Sequence, residues 1–202
     1  MQLSWAESLL VRAAAASPSD APAHFERALE LQSLALQSPD VDPVSALCDR
    51  TDASYNYATH LASPGDPSSA VLPLERRQAL ADGALRDISN AIQLKDGDPA
   101  MLSRLGDVHL LRFHLGGGNL ALHEAERAYV RAMSVPFKPL KDADTLHNLA
   151  ATYALGGDAE RCVAALRAWA EVASEQDREE MRADEDFASV RGTSAFKEIV
   201  GE

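Results

Sequence analysis

The sequence contains few aromatic residues and no pattern that would form a sheet. Phe, Trp and Tyr make up 5% of its 202 residues, although 46% are hydrophobic and alanine is abundant. Runs of alternating β-branched residues, which half-buried strands require, are missing from the sequence. A core rich in alanine and poor in aromatics is typical of closely packed helices, because alanine has the highest helix propensity. We therefore predict an all-α protein.

Basic residues are also scarce relative to acidic ones. The chain has 19 Lys and Arg against 31 Asp and Glu, which gives a formal net charge of −12 at pH 7. Nucleic acids and anionic membranes both attract clusters of Lys and Arg, so we expect neither as a partner. Solubility alone is the simpler explanation of this charge, but the charge also permits a basic peptide partner.

Two cysteines and the lack of long apolar runs indicate the compartment. Cys48 and Cys162 are too few and too far apart for a disulfide framework, so we interpret both as reduced thiols of the core. No segment approaches the roughly 20 consecutive apolar residues that span a bilayer. These features predict a cytoplasmic protein.

Motifs for catalysis, cofactors and metals are missing from the sequence. The glycines at 116–118 follow no predicted strand and precede no Lys-Ser/Thr pair, as a phosphate-binding loop would require. His109, His114 and His123 lack the i, i+4 spacing of metal ligands on a helix. No Gly-x-Ser-x-Gly elbow is present. We therefore expect a protein without enzymatic activity, cofactor or metal.

Two amphipathic stripes, separated by Gly-Gly-Asp at 156–158, run through residues 144–174. This pattern predicts two short helices that face each other as an αα-hairpin. An isolated hairpin cannot bury its apolar face, so neighbours of the same kind are expected. The first stripe consists of Leu146, Leu149, Ala150 and Tyr153, and the second of Cys162, Leu166, Trp169 and Ala170.

The spacing in this segment resembles the tetratricopeptide repeat (TPR), whose signature of about 34 residues runs W-x2-L-G-x2-Y, then A-x3-F, then a closing Pro. Less regular matches occur in residues 1–40, 44–94 and 102–132. The resemblance implies a TPR-like α-solenoid of about four irregular helical hairpins. The residues that take the signature positions are Leu146, Leu149, Ala150, Tyr153, Cys162 and Leu166, with Ser174 in place of the proline.

Domain boundaries follow from the same resemblance. Residues 1–175 are predicted to form the TPR-like repeat domain, and residues 176–202 a C-terminal capping segment. Terminal repeats need such a cap, because their outer apolar face has no neighbour. The side chains expected to cover that face are Phe187, Val190, Phe196 and Ile199.

The resemblance also implies a binding surface, because the first helix of each TPR pair lines a concave groove that binds peptides. Amide and guanidinium groups in such a groove hydrogen-bond a peptide backbone or terminus. The competing interpretation is that these polar residues only coat a solvent-facing surface. The positions that match the groove are Tyr55, Asn56, Thr59, Ser103, Arg104, Asp107, Asp144, His147 and Asn148.

Together these expectations describe a non-enzymatic scaffold, an adaptor or dedicated chaperone, that binds a protein or peptide segment of basic or mixed charge. One alternative is a self-associating regulatory subunit of an enzyme complex, which would form a homodimer through its alanine-rich N-terminal helices. A more remote alternative is a ligand-binding or hydrolytic helical protein.

Overall fold

The computed structural model of the protein describes residues 21–60, 72–136, 140 and 142–201. All regular secondary structure within these residues is helical, so the all-α prediction is confirmed for them. The helix predicted at 4–16 lies outside the described residues. The α-helices that form within them are α1 (Ala21–Ala35), α2 (Pro43–His60), α3 (Leu74–Leu94), α4 (Pro99–Arg112), α5 (Gly118–Met133), α6 (Ala143–Leu155), α7 (Ala159–Ala170), α8 (Glu175–Ala183) and α9 (Ser194–Val200).

The chain divides into two compact units. The N-terminal unit runs to Asp96 and includes His114–Gly116, so it contains α1, α2 and α3. The C-terminal unit comprises Gly97–Phe113 and the chain from Gly117 onward, with α4 to α9. The predicted boundary between residues 175 and 176 stays a prediction. In the described part of the chain, a helix with both the length and the apolarity to cross a bilayer is not found.

Small side chains let the helices of the N-terminal unit approach closely. Ala28 of α1 and Ala84 of α3 are fully buried. Phe25 and Tyr57 stack with ring centroids 4.9 Å apart and an interplanar angle of 11°. Gln32 is also buried on α1, and its side-chain amide donates to the Asp49 carbonyl of α2 at 3.0 Å. This bond satisfies the amide nitrogen of Gln32, the polar side chain that interrupts the apolar face of α1.

Polar caps fix where the helices of the C-terminal unit begin. The carboxylates of Asp98, Asp142 and Asp158 accept hydrogen bonds from backbone N–H groups of the first turns of α4, α6 and α7. Ser174 is the N-cap of α8 and forms a capping box with Asp177. The predicted break between α6 and α7 is confirmed.

Gly106 lies where α4 and α5 come closest. A Cβ atom built on Gly106 would be 2.6 Å from Cδ1 of Tyr129, a distance that real side chains do not adopt. The predicted contact between the two helices of this hairpin is therefore confirmed at Gly106. Ala150 of α6 is likewise fully buried in the core of the unit.

The C-terminal segment packs onto α6 and α7. Phe187 and Phe196 are fully buried with ring centroids 5.7 Å apart, and they share a core with Trp169. The predicted burial of these rings is confirmed. Arg178 Nη1 donates to the Ile199 carbonyl at 2.6 Å. Arg182, one turn further along α8, donates to the adjacent Val200 carbonyl. These bonds satisfy carbonyls that the end of α9 would leave unpaired.

Candidate functional site

Three of the predicted groove residues lie on α2 in the N-terminal unit. Asn56 is exposed, whereas Tyr55 and Thr59 are half-buried. The Thr59 hydroxyl donates to the Tyr55 carbonyl at 3.0 Å, which is a bond to its own helix. The exposed Asn56 amide is therefore the group of this set that is best placed to meet a ligand.

In the C-terminal unit, three predicted residues meet around one carboxylate. Arg104 Nη1 donates to Asp107 Oδ2 at 3.2 Å, and Asn148 Nδ2 donates to Asp107 Oδ1 at 2.9 Å. Tyr129 Oη, which the sequence did not single out, donates to the same Oδ1 at 2.9 Å. The Asp107 side chain is 13% exposed. Burial raises the pKa of Asp107, and the nearby Arg104 charge and the hydrogen bonds partly oppose that rise.

The remaining predicted residues of this unit are distributed around the network. The Ser103 and Thr145 hydroxyls lie 2.8 Å apart, and both residues are buried. His147 Nε2 lies 2.7 Å from Asp184 Oδ2, so it connects α6 to the C-terminal segment. Asp144 is exposed. Most of the donors assigned to a peptide thus make bonds within the unit, and the role of the nine residues in binding stays a prediction.

A cleft of about 650 Å³ opens between α1, α2 and α3, all within the N-terminal unit. Sequence reasoning did not find it. Its wall combines arginines, carboxylates, serines and leucines, which can form ion pairs, hydrogen bonds and apolar contacts with a ligand. The residues that line it are Glu26, Leu29, Glu30, Ser33, Leu34, Arg50, Ser54, Arg76, Leu80, Gly83, Arg86 and Asp87.

Arg50 and Asp87, which both line this cleft, form a bidentate ion pair. Arg50 Nε donates to Asp87 Oδ2 at 2.7 Å, and Arg50 Nη2 donates to Asp87 Oδ1 at 2.6 Å. Arg50 Nη1 also reaches the Ser33 hydroxyl at 3.3 Å, so the pair connects all three helices. The Asp87 side chain is only 8% exposed. Its hydrogen bonds raise the pKa of Arg50, which therefore stays charged.

The rim of the cleft carries exposed charges. Arg76 Nη2 lies 2.6 Å from Glu26 Oε1, and Glu30 pairs with Arg27 at 2.7 Å. Burial, followed by the Glu26 charge, raises the pKa of Tyr57 to about 12. Pairs this exposed contribute little to stability and exchange partners readily. The rim can therefore adapt its charges to a ligand.

A signal for this cleft does exist in the sequence. On α3 the buried positions Leu80, Ala84 and Ala91 form one stripe, and Asp87 falls on it. Arg50 falls similarly among the buried positions of α2. A charged residue on an apolar stripe requires a buried partner, because an isolated buried charge is costly. Periodicity shows that a partner is needed, but it does not identify that partner.

The C-terminal unit has a smaller groove of about 340 Å³ between the end of α5, α6 and α7. Its wall is mainly apolar. At one end the Arg161 guanidinium lies 4.6 Å from the centroid of the Tyr153 ring, and it pairs with Asp158 and Glu126. The residues that line the groove are Met133, Leu146, Leu149, Tyr153, Arg161, Ala164, Ala165, Ala168, Glu171 and Val172.

Reactive chemistry is not assembled in either place. Cys162 is buried, and burial raises the pKa of its thiol to about 11, so it is a protonated residue of the core. Across the described ranges, no three or more His, Cys, Asp or Glu side chains are grouped to hold a metal ion. No protein-family model, curated protein or solved structure matches the chain. The cleft and the groove are therefore the features from which function is inferred.

Proposed function

We propose that the protein is a non-enzymatic, TPR-like interaction module that binds a segment of another protein in the cleft of the N-terminal unit. The single observation that carries this proposal is the cleft itself. Its volume of about 650 Å³ lies within the roughly 300–1,000 Å³ typical of ligand sites. Its wall offers recognition chemistry from three helices that a buried ion pair connects.

A TPR-like solenoid of about four irregular hairpins is the arrangement that we propose for the chain. It is supported by the signature spacing of residues 144–174 and by the close packing of consecutive helices. Within the units, α2 packs on α3, α4 on α5 and α6 on α7. Proteins built from such hairpins act as adaptors and chaperones through exposed surfaces between helices.

The charge of the cleft favours a segment of mixed charge. The lining contains three arginines and three carboxylates, so it is close to neutral on a protein whose net charge is −12. A strongly acidic partner would be repelled by the protein as a whole. A partner segment with both acidic and basic residues suits both the nearly neutral cleft and the negative net charge of the protein. The cytoplasm is the compartment that we propose for this interaction.

The experiment is capture of partners from native lysate by the full chain and two glycine variants. A Cβ on Gly83 would meet nothing closer than Arg86 Nη2 at 3.8 Å, so Gly83→Leu has room for its Cβ and adds a bulky side chain to the cleft wall. Gly192→Leu is the matched control, because open space surrounds Gly192 in the C-terminal unit.

We expect a protein that the parent and Gly192→Leu both retain and that Gly83→Leu loses, with melting temperatures unchanged. Mass spectrometry of the captured material identifies that protein. Equal capture by all three chains would contradict binding in the cleft.

Self-association is the second candidate function, and the apolar groove of the C-terminal unit favours it. Val172 on its wall is 51% exposed, and Ala164 is also exposed. A second copy of the chain would bury this surface. Light scattering on a sizing column would then give twice the monomer mass, and Ala164→Glu would restore the monomer.

A further inference from the structure

Of the three arginines in the cleft of the N-terminal unit, one has no charged partner among the described residues. Arg50 uses three of its five N–H donors on Asp87 and Ser33. Arg76 pairs with Glu26. Arg86 is exposed on the wall of the cleft, and it makes no hydrogen bond or ion pair with any described residue.

The carboxylates of the same wall are already neutralised. Glu26 pairs with Arg76, Glu30 with Arg27, and Asp87 with Arg50. The guanidinium of Arg86 is therefore the group whose charge a ligand can complement. A guanidinium forms its strongest and most directional bonds with a carboxylate or a phosphate, because its parallel donors match two oxygens. Since the chain as a whole carries a net charge of −12, one carboxylate is favoured over a doubly charged phosphate.

Space for that carboxylate exists beside Gly83, one helical turn before Arg86. Arg86 Nη2 lies 3.8 Å from the position that a Cβ on Gly83 would take, and nothing else lies closer. Glycine is unfavourable in a helix interior relative to alanine. Its effect at this position is to leave the wall open next to the guanidinium.

An aliphatic surface lies in the same cleft. Leu29, Leu34 and Leu80 line it, and Leu34 is 48% exposed. A ligand that brings an aliphatic side chain together with its carboxylate would remove this leucine surface from water. The ligand is therefore expected to be amphipathic.

The length of the cleft fits an extended peptide segment. Its lining on α3 runs from Arg76 to Asp87, which is about 16 Å at the rise of an α-helix. About five extended residues span that distance. An extended segment of this length can lie in the cleft along α3.

We infer that this cleft selects an internal peptide segment by one Asp or Glu side chain, bound to Arg86, next to an aliphatic residue on the leucine surface. Further residues of the segment are neutral or basic, because the chain as a whole carries a net charge of −12 and repels additional acids. The inference rests on the proposed function and names the chemical class of its partner.

The test uses a library of hexapeptides, acetylated at the N-terminus, amidated at the C-terminus and randomised at all six positions. The immobilised full chain retains peptides from it, and their sequences are determined. The same is done with Arg86→Ala, Gly83→Leu and Arg167→Ala. Arg167 is the matched control, because it is exposed, lines neither the cleft nor the groove, and forms no bond with a described residue.

We expect the parent and Arg167→Ala to enrich Asp or Glu beside Leu, Ile, Val or Met. Arg86→Ala should lose the acidic preference and bind the enriched peptide about tenfold more weakly, as the loss of one charged hydrogen-bond donor predicts. Gly83→Leu should retain no peptide above background.

The other outcomes separate the two proposals. Peptides that bind through the cleft without acidic enrichment, or with enrichment that Arg86→Ala leaves intact, would overturn the inference and keep the proposed function. The same holds if a second library with free C-termini shows that only a terminal carboxylate is recognised. No retention by the parent, or retention that Gly83→Leu does not change, would overturn both.

Discussion

The charged cleft of the N-terminal unit and the apolar groove of the C-terminal unit are each surrounded by three consecutive helices but differ in chemistry. The helices are α1, α2 and α3 in one case, and α5, α6 and α7 in the other. The TPR-like spacing that we propose aligns the buried positions Ala84, Ile88 and Ala91 of α3 with Cys162, Leu166 and Trp169 of α7.

Under this alignment, corresponding positions line both openings. Asp87 of α3 aligns with Ala165 of α7, and Arg86 aligns with Ala164. A carboxylate in place of a methyl group at the first position creates the difference, since a buried acid requires a cation. Arg50 supplies that cation from α2. Under the proposed alignment, the side chains at these positions thus decide whether the opening is polar or apolar.

Truncation after Glu175 should have the largest effect, and it should act on one unit alone. It removes Phe187 and Phe196, whose rings are fully buried in the core that contains Trp169. Burial of each such side chain contributes about 1.5–3 kcal/mol to the free energy of unfolding. The truncation also removes the buried side chains of Val190 and Val200, which adds to the loss. Amide hydrogen exchange should lose protection in α6 and α7 and keep it in α2 and α3. Unchanged protection in α7 would show that the segment is not part of this core.

Arg50→Ala should have the next largest effect, because it leaves the Asp87 carboxylate buried without its cation. Removal of one partner of a buried pair costs about 3–5 kcal/mol. The double variant Arg50→Leu with Asp87→Ala makes the cleft resemble the apolar groove, and it should regain most of the loss. Denaturant unfolding measures both. If Arg50→Ala unfolds like the parent, the pair does not connect the helices as described.

Asp107→Asn tests a second carboxylate that is largely buried. Asp107 accepts hydrogen bonds from the neutral side chains of Tyr129 and Asn148 and from the half-exposed Arg104. Burial raises the pKa of Asp107 in the folded chain, so folding favours its protonated form. The resulting stabilisation is fully present below the unfolded pKa of about 3.9 and is lost as pH rises through the folded pKa. The parent should therefore gain unfolding free energy relative to Asp107→Asn as pH falls from 7. A constant difference across this range would contradict the raised pKa.

Gly83→Ala should have the smallest effect, and it should be stabilising by about 0.5–1 kcal/mol, because glycine is the less favourable residue inside a helix. The new methyl group has room, since its nearest neighbour is 3.8 Å away. Gly157→Ala is the matched control, because Gly157 has φ of +76°, where alanine is strained. Thermal unfolding should shift in opposite directions for the two variants. A lower melting temperature for Gly83→Ala would contradict the room for a methyl group in the cleft wall at this position.

The hairpin at 144–174 was predictable because its apolar period and its Gly-Gly-Asp break are local features. Leu146, Leu149 and Trp169 are buried as the stripes indicate. Burial of Phe187 and Phe196 followed from the same kind of pattern. These parts of the fold depend on spacing along one helix or between neighbours in sequence.

The cleft and the polar network around Asp107 were harder to predict, because they depend on pairs that are distant in sequence. Arg50 and Asp87 are separated by 37 positions, and Asn148 reaches Asp107 across 41. A polar residue on a helix looks the same in sequence whether it meets solvent or a buried carboxylate. The pattern alone therefore predicts a peptide-binding role for Arg104 and Asn148. The structure shows both bonded to Asp107, and the binding role stays a prediction.

The most direct test of the account compares two blocking variants, one in each opening. Gly83→Leu adds a bulky side chain to the charged cleft, and Ala164→Leu adds one to the apolar groove at the position aligned with Arg86. Calorimetric titration measures the affinity of each for the protein captured by the parent. We predict that Gly83→Leu weakens binding at least about tenfold, since a filled site loses contacts worth about 1.4 kcal/mol or more, and that Ala164→Leu leaves it unchanged. Parental affinity in Gly83→Leu, together with loss in Ala164→Leu, would place the site in the C-terminal unit and contradict the account.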